Sequence, residues 1–150
     1  MDKITKPGNK TVVIIYMIID ILCAGAGMGV PIFCIIMGFP LGWFIARRAF
    51  SSKKDPHSIH TTILKASFLA SAFTFLLMTV IWGRTIPMLF NPKADFQNFG
   101  HPFILYDPKI SFIGWLILMI IISPFLQLLT IIFASFVTLL RIGRESSDRV

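Results

Sequence analysis

Asp20 is the residue with the most chemistry to offer in this 150-residue chain. It is the one charged side chain between residues 12 and 46. In a helix counted from Lys10 it lies about 15 Å along the axis, close to the middle of a bilayer. An ionised Asp at that depth costs about 2.5–3.5 kcal/mol on insertion scales. It must therefore face the interior of a helical bundle, meet a partner, or carry a proton. Two kinds of chemistry fit. One is a carboxylate that couples proton or cation movement to transport. The other is a hydrogen-bonded Asp that holds helices together. The polar side chains in the apolar stretches that are able to meet it are Tyr16, Thr74, Thr79, Ser123, Gln127 and Thr130, and none is basic.

Gln127 is the second candidate. It follows Pro124 by about one helical turn, where its amide is able to serve a carbonyl freed by the proline or to bond across helices. Asp20 and Gln127 together form the candidate coupling or interhelical polar site. Two small-residue pairs, Gly25-x-x-x-Gly29 and Gly38-x-x-x-Gly42, allow helix backbones to approach closely. The first pair straddles an expected turn. The second lies within one helix and is the better packing signal.

Other chemistry is sparse. His57 and His60 form an HxxH beside Asp55, and His101 has Asp95 and Asp107 near it in sequence. Neither set supplies enough ligands for a metal site. There is no HExxH, no Ser-His-Asp spacing, no phosphate-binding loop and no GxGxxG. Cys23 and Cys34 form no CxxC and read as two buried free thiols. No catalytic residue, no metal and no cofactor is expected.

These few residues sit within apolar stretches as long as a bilayer is thick. Residues 66–83 and 110–140 carry no Asp, Glu, Lys or Arg. The chain is 55% hydrophobic and 14% charged, with a mean hydropathy of +0.79. Soluble domains carry about 25% charged residues, so this composition leaves too little polar surface to cover a water-soluble globule. The expected fold is all-α: a single polytopic transmembrane bundle over 1–150 with about four transmembrane helices. Residues 12–46 are too long for one straight span. Gly25, Gly27, Gly29 and Pro31 break them into helices over 11–27 and 30–47, a tight hairpin over 11–47 that either spans or is re-entrant. Helix 3 is expected over 62–82, within the segment 62–83, and an aromatic-rich outer loop over 84–109. Helix 4 is expected over 110–140, kinked at Pro124, and Pro40 should loosen helix 2. A cleavable signal peptide, suggested by Ala24-x-Ala26, is disfavoured because Asp20 interrupts the apolar run and the run continues past the site.

The net charge is +7. No nucleic-acid-binding motif accompanies it, and the basic residues flank apolar spans, so a nucleic-acid partner is not expected. Orientation in anionic lipid explains them instead. Lys3, Lys6, Lys10, Arg47, Arg48, Lys53, Lys54, Lys65, Arg141, Arg144 and Arg149 fall on one face of a four-helix topology, and Arg84, Lys93 and Lys109 on the other. Both termini should then be cytoplasmic, in a plasma or inner membrane. Trp43, Trp82 and Trp115 fall at the expected membrane boundaries. Phe90, Phe96, Phe99, Phe103, Tyr106 and Phe112 alternate with polar residues and Pro around the outer loop, which should lie as a cap at the interface.

The functional expectation is a non-catalytic integral membrane protein: a small subunit or accessory component of a membrane assembly. Its expected partners are the lipid bilayer and other membrane subunits or further copies of itself. The alternative is a small ion- or proton-coupled transporter that uses intramembrane Asp20.

Overall fold

The computed structural model describes residues 9–26, 32–52, 55–102 and 105–147. Among them every regular element is helical. Helix α1 is Asn9–Ala26, α2 Ile32–Ser51 and α3 Pro56–Gly83. A short 3-10 turn, Ile86–Phe90, leads into an irregular segment. Helix α4, Pro108–Ile117, continues through a π-helical turn, Leu118–Ile122, into α5, Ser123–Ser147. The expected turn between α1 and α2, with Gly29 and Pro31, lies outside the described residues, as does Phe103.

Three helices are long and apolar enough to cross a membrane: Ile32–Ser51, Pro56–Gly83 and Pro108–Glu145. The apolar part of α1, Thr11–Gly25, is shorter. At 1.5 Å per residue it reaches about 22 Å, against a hydrocarbon core of about 30 Å.

Local chemistry explains where the helices begin. Helix α3 starts at Pro56, six residues before the expected Thr62. Proline's fixed φ suits the first turn, and its missing N–H would have had no helical partner there. The polar stretch that follows stays helical because Thr61 and Thr62 turn their hydroxyls back onto the carbonyls of His57 and Ser58, at 2.9 and 2.8 Å. Helix α4 starts likewise at Pro108, with the Asp107 carboxylate accepting from the Ile110 N–H at 3.0 Å.

At Pro124, where a kink was expected, the backbone carries a π-turn. The helix runs on, widened by this turn directly before the proline. The Ser123 N–H bonds to the Leu118 carbonyl, five residues back, and the Ser123 hydroxyl donates to the same oxygen at 2.7 Å. The extra residue in the turn gives the proline ring room against the preceding carbonyls. Helix α2 is likewise continuous through Pro40, which lies on its exposed face.

The most extensive interface joins α2 to α5; α3 packs against both, and α1 against α2 and α3. On α2, Cys34, Gly38, Gly42 and Ala46 are all buried, each four residues from the last. A Cβ on Gly38 would meet Thr130, Ile131 and the Gln127 carbonyl, and one on Gly42 would meet the Ile131 carbonyl and Ala134. These two glycines are therefore what lets the backbones of α2 and α5 touch. Polar groups reinforce the contact. Ser135 donates to the Gly42 carbonyl at 3.0 Å, and Thr130 to the Ile35 carbonyl at 3.0 Å. Gly25, also expected to pack, is exposed near the end of α1, and a Cβ there would meet nothing within 4 Å among the described residues.

The outward faces are apolar. Leu22 on α1, Phe33 on α2, Phe68 and Val80 on α3, and Phe133 on α5 are more than half exposed. Polar residues such as Ser67, Thr74, Gln127 and Ser135 are fully buried, beside apolar ones such as Met78, Phe112 and Ile131. Such a distribution suits a hydrocarbon solvent, where small and polar residues also bring helices together.

Candidate functional site

The helical packing brings four polar side chains from three helices together in the middle of the bundle. Asp20 and Tyr16 come from α1, one turn apart, so both point inward on the same face. Thr74 comes from α3 and Gln127 from α5. All are buried: Asp20 and Tyr16 are 1% and 4% exposed, and Thr74 and Gln127 0%. The Thr74 hydroxyl donates to one carboxylate oxygen of Asp20 at 2.5 Å. The Gln127 amide nitrogen donates to the other at 3.5 Å and also bonds the Tyr16 hydroxyl. The Cys34 thiol, from α2, lies 3.8 Å from the Asp20 backbone carbonyl, a weak contact that adds the fourth helix.

Asp20 thus stands where α1, α3 and α5 meet, held by hydrogen bonds from neutral groups. The stretches around it supply no Lys, Arg or His. Of the partners considered from sequence, Thr74 and Gln127 reach the carboxylate directly and Tyr16 joins through Gln127. The other three are engaged elsewhere. Thr79 bonds the Phe75 carbonyl, Ser123 that of Leu118, and Thr130 those of Gln127 and Ile35. Gln127 was expected either to bond across helices or to serve a carbonyl freed by Pro124. Its amide nitrogen bonds across the bundle, and the hydroxyl of Ser71 on α3 donates to the Pro124 carbonyl at 2.6 Å. The Gln127 amide oxygen is buried without a hydrogen-bond partner among the described residues.

Sequence reasoning missed this wider role of hydroxyls. Ser71, Thr130 and Ser135 each reach a backbone carbonyl of another helix. The signal was present on α3, where the buried Ile63, Ser67, Ala70, Ser71, Thr74 and Met78 recur at three- and four-residue spacing and mark one face.

The other candidates stay apart. His57 and His60 lie in the first turns of α3, and no group of three or more His, Cys, Asp or Glu that could hold a metal occurs among the described residues. Cys23 and Cys34 are free cysteines. At the far end of the bundle, Trp82 on α3 and Trp115 on α4 meet edge to face at 6.1 Å. Beside them Phe112, 0% exposed, packs against Phe96, Phe99 and His101 with ring centroids 5.3, 4.9 and 5.4 Å away. The Ser111 hydroxyl bonds both the N–H and the carbonyl of Leu105, at 2.8 Å each. The segment after the 3-10 turn is thereby folded onto the start of α4. Within it the Asn98 side-chain amide donates to Asp95, holding that carboxyl below its usual range with help from the Asn98 and Gln97 N–H groups. Phe90 and Tyr106 remain fully or almost fully exposed.

Neither a protein-family model, nor a curated protein, nor a solved structure matches the chain.

Proposed function

We propose that this chain is a non-catalytic integral membrane protein, a small subunit or accessory component of a membrane assembly. It would carry about four membrane helices, with the basic ends of its helices and both termini on the cytoplasmic side of a plasma or inner membrane. The observation that carries this reading is the engagement of Asp20 by neutral side chains of its own bundle. Its two carboxylate oxygens are occupied by Thr74 and Gln127 of the same chain, and the residue is 1% exposed. A carboxylate so engaged acts as a joint between helices. The α1–α2 pair, whose first helix is apolar over only Thr11–Gly25, then crosses as a short hairpin or enters and returns.

A second reading is favoured by one feature of the same site. Among the described residues Asp20 has no basic partner to fix its charge, and Thr74, Gln127 and Tyr16 are joined to it in one hydrogen-bonded group. A small proton- or ion-coupled transporter would use such a carboxylate. The two readings separate in one experiment. Parent and Asp20→Asn proteins are purified in mild detergent, analysed for co-purifying membrane proteins, and reconstituted into vesicles carrying a pH gradient. The account expects both to fold, to retain the same partners and to leave the gradient alone. Dissipation of the gradient by the parent and not by Asp20→Asn would overturn it in favour of the transporter.

A further inference from the structure

Where α2 and α5 leave the glycine contact, they open a groove of about 440 Å³ lined by Trp43 and Arg47 from α2 and by Val137, Arg141 and Glu145 from α5. We infer that this groove holds the phosphate of an anionic phospholipid headgroup, with the upper part of its acyl chains along Trp43 and Val137. The inference rests on the proposal that the chain is embedded in a membrane.

The close approach at Gly38 and Gly42 sets the geometry. One turn beyond it, Arg47 follows Trp43 by four residues on α2, and Arg141 follows Val137 by four on α5. Each helix therefore presents an apolar side chain with a guanidinium one turn further out, and the two pairs face the same space. The Arg47 guanidinium lies over the Trp43 ring at 5.1 Å, which keeps it against the groove wall. Guanidinium groups match phosphate oxygens in planar, paired hydrogen bonds. An indole at the same level suits the boundary between headgroup and acyl chain. Of two adjoining grooves at this end of α5, one, lined by Arg144 with His60 and Phe136, repeats the pattern of a basic rim on an apolar wall, and the other sets Arg141, Arg144 and the same Glu145 around Leu140.

Glu145 is the acid in the groove. It pairs with Arg141 at 3.4 Å, but both side chains are exposed, at 82% for Arg141 and 55% for Glu145. An exposed pair of this kind contributes little, so a phosphate carrying a full charge and held by two arginines displaces it. Glu145 thus acts as a competitor for Arg141.

The test uses the whole chain purified in neutral detergent. Dioctanoyl phosphatidylglycerol and dioctanoyl phosphatidylcholine are titrated in, and retained lipid is counted by native mass spectrometry. The expected result is one saturable site for phosphatidylglycerol and weaker, unsaturable retention of phosphatidylcholine. Arg47→Gln and Arg141→Gln should each weaken the site about fivefold. Arg47→Lys should lose less, and Glu145→Gln should tighten binding. Inorganic phosphate at the lipid's concentration should leave the lipid bound. Equal retention of the two lipids, or an unchanged site in the double Arg→Gln variant, would overturn the inference. Displacement of the lipid by equimolar inorganic phosphate would overturn it too, by assigning the site to the free anion. Recovery of the chain from the soluble fraction without detergent would remove the membrane reading and this inference together.

Discussion

At Asp20, the burial of the carboxylate was legible in the sequence: a lone acid in a long apolar stretch must turn inward. Its partners were legible only as a set of six. Choosing among them requires the rotation of each helix about its axis, which a uniformly apolar helix hides. Thr74 was selected by its place on the buried face of α3, and Gln127 by the register of α5 against α1. The network makes a quantitative prediction. Asp20→Leu should insert more readily yet lose about 0.6–2 kcal/mol of helix association, as expected for intramembrane hydrogen bonds. Thr74→Val should cost part of the same amount. In unfolding titrations from mixed micelles, the Asp20→Leu, Thr74→Val double variant should lose clearly less than the sum of the two single losses. Strict additivity would mean that the two side chains do not support one another.

Among the elements, the existence and order of the helices could be read from unbroken apolar runs, and their boundaries only in part. Helix α3 begins at Pro56 because a proline that would break a helix interior suits its first turn. The π-turn before Pro124 was not legible, since proline alone announces a disturbance without saying whether the helix bends or widens. Glycine spacing had to be judged by context. Gly38 and Gly42 sit against the backbone of α5, whereas a Cβ on Gly25, which has the same i, i+4 motif, would meet no described residue. Two alanine substitutions separate these roles. Gly42→Ala forces a methyl onto the Ile131 carbonyl and should destabilise the protein by about 1–3 kcal/mol. Gly25→Ala should be neutral or stabilising by up to about 1 kcal/mol, the usual helix-propensity gain. Thermal denaturation in detergent, followed by circular dichroism, checks both. Equal effects at the two sites would contradict the close α2–α5 contact.

For the whole molecule, the outer face of the bundle reverses what water would select, and the interior mixes polar with apolar side chains. Ser67, Thr74, Gln127 and Ser135 are buried, while Leu22, Phe68, Val80 and Phe133 face outward. This reversal was legible in the composition, because 14% charged residues are too few to cover a soluble surface. The side of the membrane on which each loop lies is a matter of charge rather than packing. Arg47, Arg48, Arg141 and Arg144 gather at one end of the bundle and the Phe112 cluster at the other. Single-cysteine labelling in intact cells tests the central claim most directly. Cys23 and Cys34 are replaced by Ala, and one cysteine is introduced at Ser52 or at Gln97, both exposed. A membrane-impermeant maleimide should label Gln97→Cys from outside, and should label Ser52→Cys only after the cells are permeabilised. Labelling of Ser52→Cys in intact cells, or equal labelling of both positions before permeabilisation, would contradict a chain that crosses the membrane with its basic helix ends inside.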